Sequence, residues 1–83
     1  MDLSTIIGKN LKYLRYQSGL SQENFYENYN LNPKYLACIE RGEINISVNF
    51  LQKLAKILNI SIVDLITYDQ NKLITNKRVD SKK

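Results

Sequence analysis

The residue types that usually perform catalysis or bind metals are scarce in this chain of 83 residues. It contains no histidine and a single cysteine, Cys38, so the sequence offers neither the paired ligands of a zinc site nor an internal disulfide. Its eight carboxylates are scattered along the sequence instead of being paired for general acid–base chemistry. We therefore expect a protein that is not an enzyme and that needs no cofactor, metal or small-molecule ligand.

Length and charge narrow the class of protein further. A chain of this length supports one hydrophobic core, because it buries only about 60 to 65% of its unfolded surface. The formal net charge is +4, but residues 1–66 carry seven basic and six acidic side chains, so residues 67–83 supply most of the excess. The basic pI alone is thus weak evidence for a nucleic-acid partner. No apolar run approaches the ~20 residues of a membrane span and no signal peptide is evident, so we expect a cytoplasmic protein without a membrane partner.

Five helices are predicted from the helical spacing of the apolar residues and from the residues that flank each run. They cover residues 5–17, 22–29, 33–41, about 48–58, and 62–66. The residues suited to cap their N-termini are Ser21, Asn32, Ser47 and Ser61. The residues suited to end them, because they tolerate left-handed backbone, are Gly19, Asn30, Gly42 and Asn59. The prediction is an all-α, compact five-helix domain over residues 1–68, followed by a flexible basic tail over 69–83.

The predicted helices have distinct inward and outward faces. Phe25 and Tyr29 form the inward face of the second helix, and Leu36 with Ile39 that of the third. The fourth helix turns a longer stripe inward: Val48, Leu51, Leu54, Ala55 and Leu58. The outward face of the third helix then consists of Lys34, Tyr35, Ala37, Cys38 and Arg41. A pair of short helices joined by a tight turn can place its second helix in a DNA major groove while the first braces on the backbone.

Three stretches of sequence carry a resemblance to a known family. They are L-S-Q-E-N-F at 20–25, L-N-P-K-Y-L-A-C-I-E-R-G at 31–42, and N-I-S-V-N-F-L-Q-K-L-A-K-I-L-N-I-S at 45–61. In this combination, residues 6–66 resemble the Cro/repressor-type (XRE) helix-turn-helix family. The resemblance implies a repressor-like fold and a bacterial or phage transcriptional regulator whose partner is double-stranded DNA.

The same resemblance implies which side chains contact DNA. They are Gln22, Asn32, Lys34, Tyr35, Ala37, Cys38, Arg41 and Asn45. Gln22 would hydrogen-bond a phosphate and set the register on the duplex. Lys34 can donate to guanine acceptors or to phosphate, as can Arg41, whereas Ala37 can touch a thymine methyl group. Tyr35 and Asn45 would meet the phosphate backbone, and Cys38 would pack beside DNA. The plain alternatives are solvated surface charges for Lys34 and Arg41 and an ordinary turn residue for Asn45.

One structural pair and several departures also follow from the comparison with the family pattern. Arg15 and Glu40 match a pair that often forms a partly buried bridge between the first helix and the end of the third. Tyr26 occupies a position that is usually Ala, which predicts either a wider crossing of the two motif helices or an outward tilt of the ring. Asn30 stands where Gly is common, and Pro33 removes a polar side chain that often contacts bases. Sequence specificity therefore cannot be carried over from the family.

Four apolar residues of the last two helices have no obvious partner within so small a domain: Phe50, Ile57, Ile62 and Ile66. Because exposed groups of large apolar residues usually mark association, they predict a homodimer interface, although Ile62 could instead complete the core. A twofold dimer would present its recognition helices to half-sites roughly 34 to 36 Å apart, and its operator would be nearly palindromic.

The compact form resembles the controller proteins of restriction-modification systems, whose N-L-x-x-x-Y-(I/L)-x-x-I-E-R pattern is similar to residues 30–41. These controllers are dimeric autoregulators. A phage or plasmid repressor and an antitoxin-like regulator are the neighbouring alternatives. From a different class, the alternative is a protein-interaction module that keeps the fold without binding DNA, which the small net charge of residues 1–66 leaves open.

Overall fold

The computed structural model describes residues 2–69, and this part of the chain confirms the all-helical prediction. Its helices are α1 (Leu3–Ser18), α2 (Gln22–Glu27), α3 (Pro33–Glu40), α4 (Val48–Leu58) and α5 (Ile62–Ile66). Across residues 2–69, no helix is long and apolar enough to cross a lipid bilayer. Apart from Asp69, the predicted basic tail lies outside the described residues, and its flexibility stays a prediction.

Side-chain caps determine where most of the helices begin. The hydroxyl of Ser21 accepts a hydrogen bond from the backbone N–H of Asn24 at 3.2 Å, and that of Ser47 accepts one from Phe50 at 3.1 Å. These bonds satisfy donors that the first helical turn leaves without a partner. α1 begins two residues earlier than predicted because Asp2 is its cap. The Asp2 carboxylate accepts the N–H of Thr5 at 2.9 Å, and this interaction lowers the pKa of Asp2.

The connection between α2 and α3 begins earlier than the sequence predicts. α2 ends at Glu27 instead of Tyr29, because the N–H groups of Tyr29 and Asn30 bond to carbonyls only three residues back. Asn30 then adopts the left-handed conformation, with φ of 58°, and the chain reverses into Leu31. The short α2 and this sharp turn give α3 a closely defined start at Pro33.

Every helix contributes to a single hydrophobic core. Its buried members are Ile7, Leu11, Phe25, Tyr26, Leu36, Ile39, Leu51, Leu54, Ala55, Leu58 and Leu65. The predicted burial is wrong for two residues. Val48 is 68% exposed because it is the first residue of α4, before the helix packs on the core. Tyr29 is 37% exposed because α2 has already ended, and Tyr26 takes the buried position instead.

Two features of α1 that sequence reasoning did not single out hold the other helices against it. Gly8 lies where α1 crosses α3, and a Cβ atom there would come within 2.5 Å of the Ile39 carbonyl oxygen. The absent side chain therefore permits the close crossing. Asn10 is buried, and its amide donates to the carbonyls of Leu65 at 2.8 Å and Thr67 at 3.1 Å. These bonds tie the end of α5 to α1 and satisfy carbonyls that a helix end leaves unpaired.

Candidate nucleic-acid interface

The outward face of α3 carries side chains that can contact a ligand. Lys34, Tyr35 and Arg41 are exposed, and Ala37 with Cys38 is half-buried. The opposite side of α3 is closed, because Leu36 and Ile39 are each 1% exposed. The five residues that the sequence assigned to the outer face are thus accessible on one surface, here called the α3 face. Their contact with DNA stays a prediction.

A buried carboxylate at the end of α3 determines how that helix is oriented. Glu40 accepts two parallel hydrogen bonds from Arg15, from Nε to Oε2 and from Nη2 to Oε1, both at 2.9 Å. Gln22 Nε2 donates to Oε1 at 2.9 Å, and the hydroxyl of Tyr26 donates to Oε2. One carboxylate therefore joins α1, α2 and α3. We call Arg15, Gln22, Tyr26 and Glu40 the Glu40 network.

Burial and charge both shift pKa values within the Glu40 network. The side chain of Glu40 is only 2% exposed and that of Arg15 only 10%. Burial opposes the charge on Arg15, but the hydrogen bonds and charge of Glu40 outweigh it and raise the pKa of the guanidinium. Burial, followed by the charge of Glu40, strongly raises the pKa of the Tyr26 hydroxyl. Tyr26 thus remains a protonated donor. Its side chain is fully buried, so the outward tilt, one of the two alternatives for this ring, is wrong.

Gln22 links the Glu40 network to the surface. It lies in a shallow cleft between α1, α2 and α3 that is also lined by Lys12, Ser21 and Arg41. An amide nitrogen carries two N–H groups, so the bond to Glu40 leaves donor capacity for a further partner. The cleft brings two residues from the predicted DNA-contacting set, Gln22 and Arg41, beside a basic side chain of α1.

Arg41 is the C-cap of α3, and a carboxylate that sequence reasoning missed lies beside it. Its Nε donates to Glu43 Oε2 at 2.7 Å, and its Nη2 donates to Glu43 Oε1 at 3.1 Å and to the sulfur of Cys38 at 3.3 Å. The hydrogen bonds and opposite charge raise the pKa of Arg41 and lower that of Glu43. In the sequence, the one signal for this pair is that Arg41 and Glu43 carry opposite charges two positions apart.

The other candidate residues have defined contacts within the protein. Asn32 caps α3, since its side-chain oxygen accepts the N–H of Lys34 at 2.9 Å. The side-chain oxygen of Asn45 accepts a hydrogen bond from the hydroxyl of Ser4 at 2.7 Å. The ring of Tyr35 packs edge-on against Phe50, with 5.7 Å between ring centroids. Their roles toward DNA stay predictions.

The apolar residues predicted to form a dimer interface are only partly accessible. Phe50 and Ile62 are partly buried and pack against the core, so each has a partner within the monomer. Ile57 is half-buried, and Ile66 is exposed. Val63, three residues before Ile66, and Tyr68, two residues after it, are also exposed, and neither was predicted. The accessible apolar surface at this end of the domain is therefore centred on α5 and the residues just after it.

Comparison with known proteins identifies a family and several relatives by sequence. A helix-turn-helix family model matches residues 11–65. An uncharacterized HTH-type transcriptional regulator of Sinorhizobium fredii is 37% identical over 67 residues, which cover 81% of this chain and 87% of that protein. Control protein C.SmaI of Serratia marcescens is also 37% identical, over 81% of this chain and 80% of its own length. Control protein C.MunI of a Mycoplasma species is 34% identical, over 80% of this chain and 90% of its own length. No solved structure matches the chain significantly.

Proposed function

Because the chain belongs to the helix-turn-helix family of transcriptional regulators, which are not enzymes, we propose that it binds a near-palindromic DNA operator as a homodimer. The observation that carries the proposal is the Glu40 network. It holds α3 against α1 and α2 through a buried carboxylate, while the α3 face stays accessible. A helix that enters a groove must keep its orientation, and buried bidentate pairs provide such a fixed geometry.

The proposed contacts divide into those that position the protein and those that recognise bases. Lys34 and Arg41 would donate to guanine O6 and N7 in the major groove, and Ala37 would touch a thymine methyl group. Cys38 would pack beside the bases. Gln22 would bind a phosphate from the cleft between the helices, where Lys12 adds positive charge. Tyr35, Asn32 and Asn45, around the start of α3 and before α4, would approach the backbone.

The Glu40 network supports a particular role for Gln22. Because its amide already donates to Glu40, the side chain is oriented before DNA arrives. A preoriented donor loses less conformational entropy on binding than a free one. Through its bond to the Glu40 carboxylate, Gln22 would thus fix the orientation of α3 relative to the bound phosphate. This contact sets register and is the same for every base sequence.

Dimer formation is the second part of the proposal. The predicted interface comprises Phe50, Ile57, Ile62 and Ile66, and the accessible apolar side chains Val63 and Tyr68 extend it around α5. An apolar surface of this kind on a DNA-binding domain would pair two copies and present two α3 helices to half-sites about 34 to 36 Å apart. The residues packed on the core, Phe50 and Ile62, would then form the floor of the interface.

The similarity to control proteins favours one subtype of regulator. C.SmaI and C.MunI bear the name control protein, and the matched segment covers most of each relative's length. We assign the chain the corresponding role, an autoregulatory controller of a restriction-modification system. A phage or plasmid repressor or an antitoxin-like regulator would use the same surfaces. The near-balanced charge of residues 1–66 keeps a protein-interaction module as the candidate from another class.

Selection of random duplexes by the purified protein tests DNA recognition. The proposal predicts enrichment of a twofold-symmetric site whose affinity falls steeply as salt rises, because bound phosphates release counterions. Failure to enrich any sequence, with no salt-dependent binding, would favour the protein-interaction module instead.

Sedimentation of two charge-introducing variants tests the interface. Ile66→Glu places a charge within the proposed surface and should yield monomers at concentrations where the wild-type protein is dimeric. Leu3→Glu is the matched control, because Leu3 is an exposed apolar residue at the start of α1 and is not part of the proposed surface. Dimers that survive Ile66→Glu, or that are lost equally with Leu3→Glu, would move the interface elsewhere.

A further inference from the structure

We propose that Glu43 is a specificity-determining residue, which directs Arg41 toward neutral base edges and away from phosphates. The inference rests on the proposed DNA-binding function and adds to it a residue that does not itself recognise a base. Its basis is the position of an anionic side chain at the rim of the α3 face. Such a charge is unfavourable for simple attachment to polyanionic DNA, so its location needs a role other than affinity.

The geometry of the Arg41–Glu43 pair is that of a bidentate fork. Nε and Nη2 of Arg41 donate to the two carboxylate oxygens of Glu43, at 2.7 and 3.1 Å. Nη2 also donates to the sulfur of Cys38 at 3.3 Å, so the guanidinium lies along the α3 face instead of extending freely into solvent. Nη1 takes no part in these three bonds, so its two N–H groups stay available to a further acceptor. Arg41 is thus held through Nε and Nη2 while it presents Nη1.

The backbone after α3 holds Glu43 in place. The chain turns at Gly42, where φ is 75°, and the N–H of Glu43 donates to the carbonyl of Cys38 at 3.1 Å. This bond closes the end of α3 and places the Glu43 carboxylate beside Arg41. Because the anchor is a backbone bond, a substitution that changes only the side chain of Glu43 leaves it intact.

Charge separates the two kinds of DNA group that Arg41 can meet. A phosphate that bound Arg41 would lie beside the carboxylate of Glu43, and the two negative charges would repel each other. The edge of guanine is neutral and offers O6 and N7 as acceptors, so Nη1 of Arg41 can donate to it while Glu43 still holds Nε and Nη2. Glu43 therefore weakens attachment of Arg41 to random DNA more than it weakens a correct base contact.

The exposure of the pair makes this effect measurable. The side chains of Arg41 and Glu43 are 55% and 53% exposed, and exposed ion pairs contribute little to folding. Removing the carboxylate should leave the fold unchanged. We expect Glu43→Gln to tighten binding to random duplexes by about three- to fivefold, the size that an exposed charge contact supports. Binding to the operator should change by less, so the ratio of the two affinities should fall by about twofold or more.

The test compares dissociation constants of the full chain for the selected operator and for a random duplex of equal length. Glu27→Gln is the control, because it removes the same charge from an exposed residue at the end of α2. The inference predicts a lower affinity ratio for Glu43→Gln but not for Glu27→Gln, and no further fall when Glu43→Gln is added to Arg41→Ala. For random DNA, the salt dependence of Glu43→Gln should steepen by about one counterion.

The outcomes distinguish this inference from the function on which it rests. If the wild-type protein selects an operator but Glu43→Gln leaves the ratio of operator to random-DNA affinity unchanged or raises it, the inference alone is overturned. Equal falls for Glu43→Gln and Glu27→Gln would also overturn it, since net charge would then explain the effect. If the wild-type protein selects no operator, the proposed function fails, and this inference fails with it.

Discussion

Replacing Glu40 with Gln should destabilise the domain far more than any exposed substitution. The change keeps the shape of the side chain but removes the charge that balances Arg15, whose side chain is only 10% exposed. Breaking a buried pair by neutralising one partner costs about 3 to 5 kcal/mol, because the other charge stays buried without compensation. Glu40 also accepts bonds from Gln22 and Tyr26, and a Gln amide can accept at only one of its two positions.

The size of this effect can be compared with the total stability. A native domain has about 0.05 to 0.15 kcal/mol per residue, which for residues 2–69 gives a free energy of unfolding of about 3 to 10 kcal/mol. Glu40→Gln should thus remove a third or more of the stability. Urea titration would show this as a lower midpoint at an unchanged slope. Should the variant be unfolded without urea, Tyr26→Phe, which removes one bond to Glu40, should give an intermediate loss of about 1 to 2 kcal/mol.

The chain provides a matched control for this experiment in its exposed Arg41–Glu43 pair. Glu43→Gln makes the same chemical change in a pair of similar geometry that solvent reaches, so its urea midpoint should stay close to that of the wild-type protein. Our interpretation of the Glu40 network would be refuted if Glu40→Gln cost less than about 1 kcal/mol. It would equally be refuted if Glu43→Gln shifted the midpoint as far as Glu40→Gln does.

Three further predictions concern packing and protonation. Gly8→Ala should lower the free energy of unfolding by about 1 to 3 kcal/mol, despite the better helix propensity of Ala, because the new methyl group meets backbone carbonyls of α3. An unchanged or higher midpoint in urea titrations would disprove the close crossing. Above about pH 10, tyrosines ionise in the unfolded chain while Tyr26 keeps its proton in the folded protein. The free energy of unfolding of the wild-type protein should therefore fall by about 1.4 kcal/mol per pH unit more steeply than that of Tyr26→Phe. Parallel slopes would contradict the raised pKa of Tyr26. Asn10→Ala should lower the free energy of unfolding by about 1 to 3 kcal/mol and speed hydrogen exchange in α5, because the carbonyls of Leu65 and Thr67 lose their donor. Unchanged exchange in α5 would show that Asn10 does not hold the end of α5 against α1.

The number and order of helices could be predicted from the sequence because their signals are local. Ser21 and Ser47 precede apolar runs, and Asn59 follows one, so each boundary is encoded within a few residues. α1 was predicted too short because Asp2 was not recognised as its cap, although the same logic applies to it. Val48 was assigned to the core because helical spacing does not show where along a helix the packing begins.

The features missed by sequence reasoning depend on contacts between distant residues. Gly8 matters only because α3 passes over it, and the value of Asn10 depends on a helix end 55 residues away. Tyr26 was recognised as unusual, but its bond to Glu40 required the relative position of α2 and α3. The ion pair of Arg15 with Glu40 was anticipated from a family pattern, not from the residues themselves. A resemblance can thus supply long-range information that periodicity lacks.

The assignment of α3 as the helix that recognises bases is tested most directly by the ratio of operator to random-DNA affinity in two variants. Lys34→Ala removes a proposed base contact and should reduce this ratio about tenfold or more. Gln22→Ala removes a proposed phosphate contact and should weaken both affinities alike, leaving the ratio close to that of the wild-type protein. Equal changes of the ratio in the two variants, or no change in either, would contradict the proposed division between recognition and positioning.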